Sequence, residues 1–239
     1  MPKKYFLIVD TETTQTQKVA DLGLVVADKQ GNIHGEWGII IADFYCNRQE
    51  HPLFHIFGDT NDTFSKASLP RRYARYDAMI KDGTRFLGTV NAVNNLLGKI
   101  QEKYNPVLTA YNLAFDADKL ANSGIDANAF HSRFCLWHAA VAKWGQSKTY
   151  RQFVLDQHLL GTRTAHGNMT YTTKADYMAK FVLGNPALAA EPHTALEDAR
   201  DYELPILAAL VKSTPPREYM NAPGYNWRNH QVKDWFQPR

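Results

Sequence analysis

Asp10 and Glu12 stand two residues apart at the end of an apolar run, KYFLIVD at 4–10. In an extended chain that spacing puts both carboxylates on one face. Like charges so placed repel, and burial worsens the repulsion. A divalent cation resolves it, since Mg²⁺ accepts one or two carboxylates together with phosphate oxygens. The same five residues, DTETT at 10–14, could equally cap a helix. D-x-E alone is a weak signal.

Two further stretches carry comparable groups. In NLAFD at 112–116, Asp116 falls in the first turn of an expected helix. An acid there favours the helix dipole by ~0.3–1 kcal/mol, which is a sufficient structural reason for it. In HTALEDA at 193–199, His193 stands at a helix mouth and Asp198 one turn inside. These two also fit a capping histidine and a solvated surface acid. Asp118, two residues on from Asp116, points elsewhere, and Asp201, one turn after Asp198, is a second decoy acid.

The elements that must position these groups follow from periodicity. Residues 4–10 read as a strand buried on both faces. The runs 19–28 and 33–41, joined across Gly31-Asn32, read as a hairpin. Together they predict a three-strand antiparallel meander. Val90, Val93, Leu96, Leu97 and Ile100 form a helical stripe over 89–103. A strand is expected at 106–112 and a helix from about 114 to 123, before Gly124. Further helices are expected at 134–144, at 172–184 stopped by Gly184, and at 194–213 with Pro205 as a kink. Residues 145–169 read as mixed and polar. The whole is an α/β layered domain, a mixed sheet flanked by helices, over 1–213.

Residues 42–88 are too long for a plain connection. They read as an insertion with its own helix from about Pro70 to Ile80. There Arg71, Arg72 and Arg75 alternate with Tyr73 and Tyr76. Such interleaving suits single-stranded nucleic acid, and also an ordinary surface helix whose tyrosines pack inward. The tail at 214–239 reads as irregular, with aromatics that pack back on the domain. Its QVKDWF places Asp234 where a clamp-docking peptide wants an apolar residue.

The bulk numbers set bounds. Apolar residues at 44% and charged residues at 21% permit a core and exclude wholesale disorder. A net charge of +3 does not oppose a polyanion. Cys46 and Cys135 are too few for a disulfide framework or a cysteine metal site, so a reducing, cytoplasmic setting is expected. The apolar run Tyr5–Val9 is too short for a secretion signal, and no stretch is long enough to span a membrane.

In this order, on these elements, the three motifs resemble the DEDDh branch of the DnaQ-like 3′–5′ exonucleases, which have an RNase H-like fold. The resemblance rests on D-x-E-T-T at Asp10–Thr14, N-x-x-F-D at Asn112–Asp116 and H-x-x-x-x-D at His193–Asp198, and extends over about 4–211. It implies a site of two Mg²⁺ ions, replaceable by Mn²⁺, held by Asp10, Glu12, Asp116 and Asp198, with His193 as general base. Thr194 stands where the tyrosine-using branch carries its tyrosine, which favours the histidine branch. Thr11, Thr13 and Asn112 are expected to hold the terminal nucleotide. The implied activity is release of nucleoside monophosphates from single-stranded or frayed DNA ends. The alternatives are the same chemistry on RNA and a non-catalytic nucleic-acid or polymerase-binding module. The implied partner is single-stranded nucleic acid, with DNA favoured over RNA and a polymerase or replication protein reached through the tail. Gln15 follows D-x-E-T-T where many relatives have glycine, and the 42–88 insertion exceeds the minimal family domain.

Overall fold

The computed structural model describes residues 4–54 and 68–232, without the side chains of Ser68 and Thr162. The strands are β1 (Tyr5–Thr13), β2 (Val19–Asp28), β3 (Ile33–Ile41), β4 (Phe86–Gly88), β5 (Val107–Ala110), β6 (Arg133–Cys135), β7 (Leu160–Arg163), β8 (Met169–Tyr171) and β9 (Gln231–Val232). The helices are α1 (Ala42–Tyr45), α2 (Ser68–Lys81), α3 (Val90–Tyr104), α4 (Leu113–Asn122), α5 (Leu136–Ala140), α6 (Lys148–Asp156), α7 (Ala175–Leu183), α8 (Ala195–Glu197), α9 (Leu204–Ser213) and α10 (Pro216–Met220). No helix among the described residues is long and apolar enough to cross a membrane.

The main sheet runs β4-β3-β2-β1-β5-β6. β1, β2 and β3 form the antiparallel meander, while β5 lies parallel to β1, β6 to β5 and β4 to β3. This is the mixed sheet flanked by helices that the RNase H-like expectation requires. A small separate sheet, β7-β8-β9, shares a core with it through Tyr171 and Val232.

β1 shows why the sheet is covered on both faces. Phe6 and Ile8 join a core with Leu136, Met178, Ile206 and Leu210 of α5, α7 and α9. Leu7 and Val9 join another with Val93, Leu97 and Ile100 of α3 and Leu113 and Leu120 of α4. A strand buried on both faces reads as an unbroken apolar run, as 5–9 does. Continuing the alternation puts Asp10 and Glu12 on the α9 side and Thr11 and Thr13 on the α4 side.

The structure revises several expected elements. The helix expected over 134–144 begins as β6, continues as α5 and ends in a π-helical turn at Val141–Gly145. Residues 145–169 contain α6 and β7, and the insertion contributes β4 as an edge strand. The insertion's helix forms as expected, over Ser68–Lys81. The helix expected over 194–213 is α8, a π-helical turn at Asp198–Glu203, and α9. Pro205 stands two residues after the end of that turn. It has no N–H to return to the carbonyl four residues back, and its ring crowds that carbonyl, so the helix widens ahead of it.

In the tail, Tyr219 is 2% exposed and packs on Phe6 and Phe134, and Tyr225 stacks on Trp137 at 4.5 Å. Trp235 and Phe236 of QVKDWF lie outside the described residues.

Candidate metal centre and active site

β1 and β5 are parallel neighbours, with Ile8 level with Thr109. Their carboxyl ends therefore open at one edge of the sheet, where ligand crevices form in such folds. Asp10 and Glu12 come from the end of β1. Asp116 comes from the first turn of α4, and Asp198 from the π turn. Asp116 and Asp198 are buried, at 4% and 5% exposure. Asp10 keeps a solvent-reachable edge although protein packs closely around it.

The structure brings all four predicted acids together. Asp10 is pushed well above the usual carboxylate range by burial, then by Glu203, Asp116, Glu12 and Asp198. Burial pushes Asp116 up to about 7, against the pull of the Thr11 hydroxyl, which donates to its Oδ1 at 2.8 Å. Asp198 is pushed up to about 9 by burial and by the charges of Glu191 and Glu12. Ligand atoms of Glu12, His193 and Asp198 lie within 4.8 Å of one another, and His193 Nδ1 is 4.0 Å from Glu12 Oε1.

Asp198 Oδ1 is buried and has no hydrogen-bond partner among the described residues. A buried carboxylate oxygen without a donor is costly, and hard oxygen donors converging on one point suit a divalent cation. The donor set therefore fits a divalent cation.

The remaining predicted residues border the cluster. His193 is 43% exposed at its side chain and takes a left-handed backbone, φ 53°. A residue other than glycine adopts that conformation at a cost, typically near functional sites. Its loop is tied by Tyr202, whose hydroxyl donates to the Ala189 and Ala190 carbonyls, and by Arg75, which donates to the Pro192 carbonyl at 2.8 Å. Thr13 follows an irregularity in the β1–β2 register and accepts the Phe54 N–H on its carbonyl. Asn112 caps α4 with its side chain exposed and unused in the cap. Asp118 and Asp201 pair with Lys119 and Arg200 at the surface. Gln15 is held by the Pro52 carbonyl, so residues of the insertion line the loop after D-x-E-T-T.

Four features escaped the sequence reading. Glu203, 3% exposed, accepts the Tyr111 N–H at 3.1 Å and lies against Asp10 and Asp116. It stands five residues after Asp198, and only a π turn, which closes five residues back, brings such a pair to one side. The second feature is a close crossing. Gly23 lies opposite Asp10 in the β1–β2 register, and Gly38 opposite Gly23. A Cβ on Gly23 would sit 2.2 Å from the Ala195 carbonyl oxygen, and one on Gly38 2.7 Å from Arg85 Cδ. The third is a buried ion cluster over that row. Arg85 Nε donates to Asp21 Oδ1 at 2.9 Å, and its Nη atoms reach the Glu197 carboxylate. Asp21 Oδ2 also accepts the Ala195 N–H at 3.0 Å. Glycines let the chain at 195 lie on the sheet and Arg85 ties it there, which places Asp198 beside Asp10 and His193 beside Glu12. The fourth is the partner of Arg72: its Nη2 donates to Glu12 Oε2 at 2.6 Å. Tyr76 is buried and Tyr73 half-buried in a core with Tyr45 and Leu53, so these rings are packed away from nucleic acid.

No protein-family model matches the chain, and no curated protein matches it. Among solved structures it is similar to a crystal structure of the zinc-bound form of an E. coli ExoI–ssDNA complex, at 16% identity and a TM-score of 0.46. The likeness covers 90% of this chain and 42% of that one, so this chain spans less than half its length.

The raised carboxylates predict the pH dependence of stability without a cation. Unfolded Asp and Glu titrate near ~4, whereas Asp116 and Asp198 hold their protons to about 7 and about 9 in the fold. Between those values the folded state binds more protons, so stability falls as pH rises. In chelator the melting temperature should drop steadily from about pH 5 to pH 9, and saturating Mg²⁺ should flatten the slope. A melting temperature that climbs over this range in chelator would contradict the raised titration of these carboxylates.

Proposed function

We propose that this chain is a divalent-cation-dependent 3′–5′ exonuclease that releases nucleoside monophosphates from single-stranded or frayed DNA ends. The observation that carries the reading is the meeting of Asp10, Glu12, Asp116 and Asp198 at one sheet edge, with Asp198 Oδ1 unpartnered and His193 at the mouth. The order of the three motifs supports the direction of attack and the family of chemistry.

In this reading the four acids hold two divalent ions. Bound, such ions neutralise the carboxylates and polarise the scissile phosphate. His193 accepts the proton of the attacking water, and the P–O3′ bond of the last linkage breaks. Thr11 orients Asp116 through its hydroxyl. Thr13 and Asn112 border the place of the terminal nucleotide. Phe115, 43% exposed beside Asp116, offers a ring to a terminal base.

The test is a time course on end-labelled single-stranded DNA, duplex DNA and RNA of one sequence, with Mg²⁺, Mn²⁺ or chelator. Mononucleotides from the earliest points, only with cation and fastest on single-stranded DNA, are expected. Faster RNA degradation would move the substrate to RNA. Full activity in chelator, or cleavage of a circular strand, would sink the reading.

His193→Ala tests the proton acceptor. A general base contributes typically ~10²–10⁴-fold, so turnover should fall by about that factor while Mn²⁺ binding persists. Undiminished turnover would reduce His193 to a loop residue.

A further inference from the structure

The arginine-rich stretch on α2 is the motif the proposed reaction leaves unused, yet its helix lies against the candidate centre. The Arg72 side chain is 6% exposed. Its Nη2 holds Glu12 Oε2 at 2.6 Å and its Nη1 holds the Phe54 carbonyl at 2.7 Å. The guanidinium also lies 5.8 Å from the ring centroid of buried Tyr76. It is thus clamped on three sides. The other oxygen of Glu12, Oε1, faces His193 Nδ1 at 4.0 Å.

A guanidinium keeps its proton in proteins, so the centre carries a fixed positive charge. Burial leaves that charge little screened by salt. Two consequences follow. Glu12 has one oxygen engaged by arginine and one turned toward His193 and Asp198. Any ion that enters also meets a resident cation as well as the acids.

We propose that Arg72 is the counter-charge of this centre: it holds the acidic cluster together before a divalent ion arrives, and it keeps the centre's affinity for that ion low. The inference rests on reading the acids as a metal centre. In this role Arg72 is a positioning residue for Glu12, and α2 of the insertion is part of the site.

The experiment measures Mn²⁺ binding, by the electron-spin signal of the free ion, for wild type, Arg72→Gln and Arg72→Lys, with melts in chelator and in saturating Mn²⁺. Removing a unit charge near a divalent ion should tighten binding in Arg72→Gln by at least about tenfold. That variant should melt below wild type in chelator and close the gap in Mn²⁺. Arg72→Lys keeps the charge and should stay within about threefold of wild type. If Arg72→Gln unfolds in chelator, recovery in Mn²⁺ supports the proposal, and failure to fold in both overturns it. Unchanged or weaker affinity in folded Arg72→Gln overturns it, as does equal tightening in Arg72→Lys. A wild-type protein that binds no Mn²⁺ would instead remove the metal-centre reading itself, whatever the variants do.

Discussion

Asp198→Asn is expected to yield a protein that is inactive yet melts higher than wild type in chelator. Asp198 is 5% exposed, its Oδ1 has no donor among the described residues, and burial and neighbouring acids push its titration up to about 9. Near neutral pH the fold therefore works against this group's charge. An isosteric amide removes the charge and keeps the shape. If Asp198 ligates the catalytic ions, the same change should cut turnover by more than about 10³-fold, the scale on which a unit of cooperating groups fails when one is lost. The two readouts, turnover on end-labelled single-stranded DNA and the melt in chelator, should move in opposite directions. An ordinary core substitution lowers both. A variant that loses stability in chelator would show that the carboxylate is a structural acceptor.

Arg85→Ala is expected to cost about 3–5 kcal/mol, because it strips the partner from charges held in the interior. The Arg85 side chain and that of Asp21 are both 0% exposed, and Glu197 is 22% exposed. With the guanidinium gone, Asp21 is left with the Ala195 N–H as its hydrogen-bond donor among the described residues. The start of the helix at 195 loses its tie to the sheet. Arg200 makes a useful contrast, since it pairs with Asp201 where both are exposed, at 32% and 47%. Arg200→Ala should change stability by about 0–1 kcal/mol. Urea denaturation of both variants provides the check. If Arg85→Ala costs under about 1 kcal/mol, the cluster is not what fastens the helix to the sheet.

The sheet's centre and the four acids were legible from the chain, for a physical reason. β1, β2 and β5 are buried on both faces, so their runs are largely apolar; Asp10 and Glu12 end the first of them, and Asp116 lies in the helix that follows β5. β4 and β6 have three residues each, too few for any period to show. The Asp21–Arg85–Glu197 cluster joins residues far apart in sequence, which no local pattern announces. One signal for it was present: Gly23 and Gly38 each sit inside an apolar strand, where glycine marks close approach of another backbone or side chain. Glu203 was hidden by the assumption of a regular 3.6-residue helix. Arg72 was singled out for its charge, but its partner is a carboxylate of the site.

The π turn at Asp198–Glu203 makes the residue count of this segment a property in itself. Were the turn to close to 3.6 residues per turn with its residue count unchanged, Asp198 and Glu203, five apart, would diverge by about 140° around the axis. Either Asp198 or Glu203 would then leave the cluster. Side chains at exposed positions such as Asp201 can change freely. A descendant of this sequence that keeps the site is therefore free to lengthen the turn at Gly31, but can lose a residue between 198 and 203 only by exchanging the π turn for an α-helical one, in which the pair is four apart.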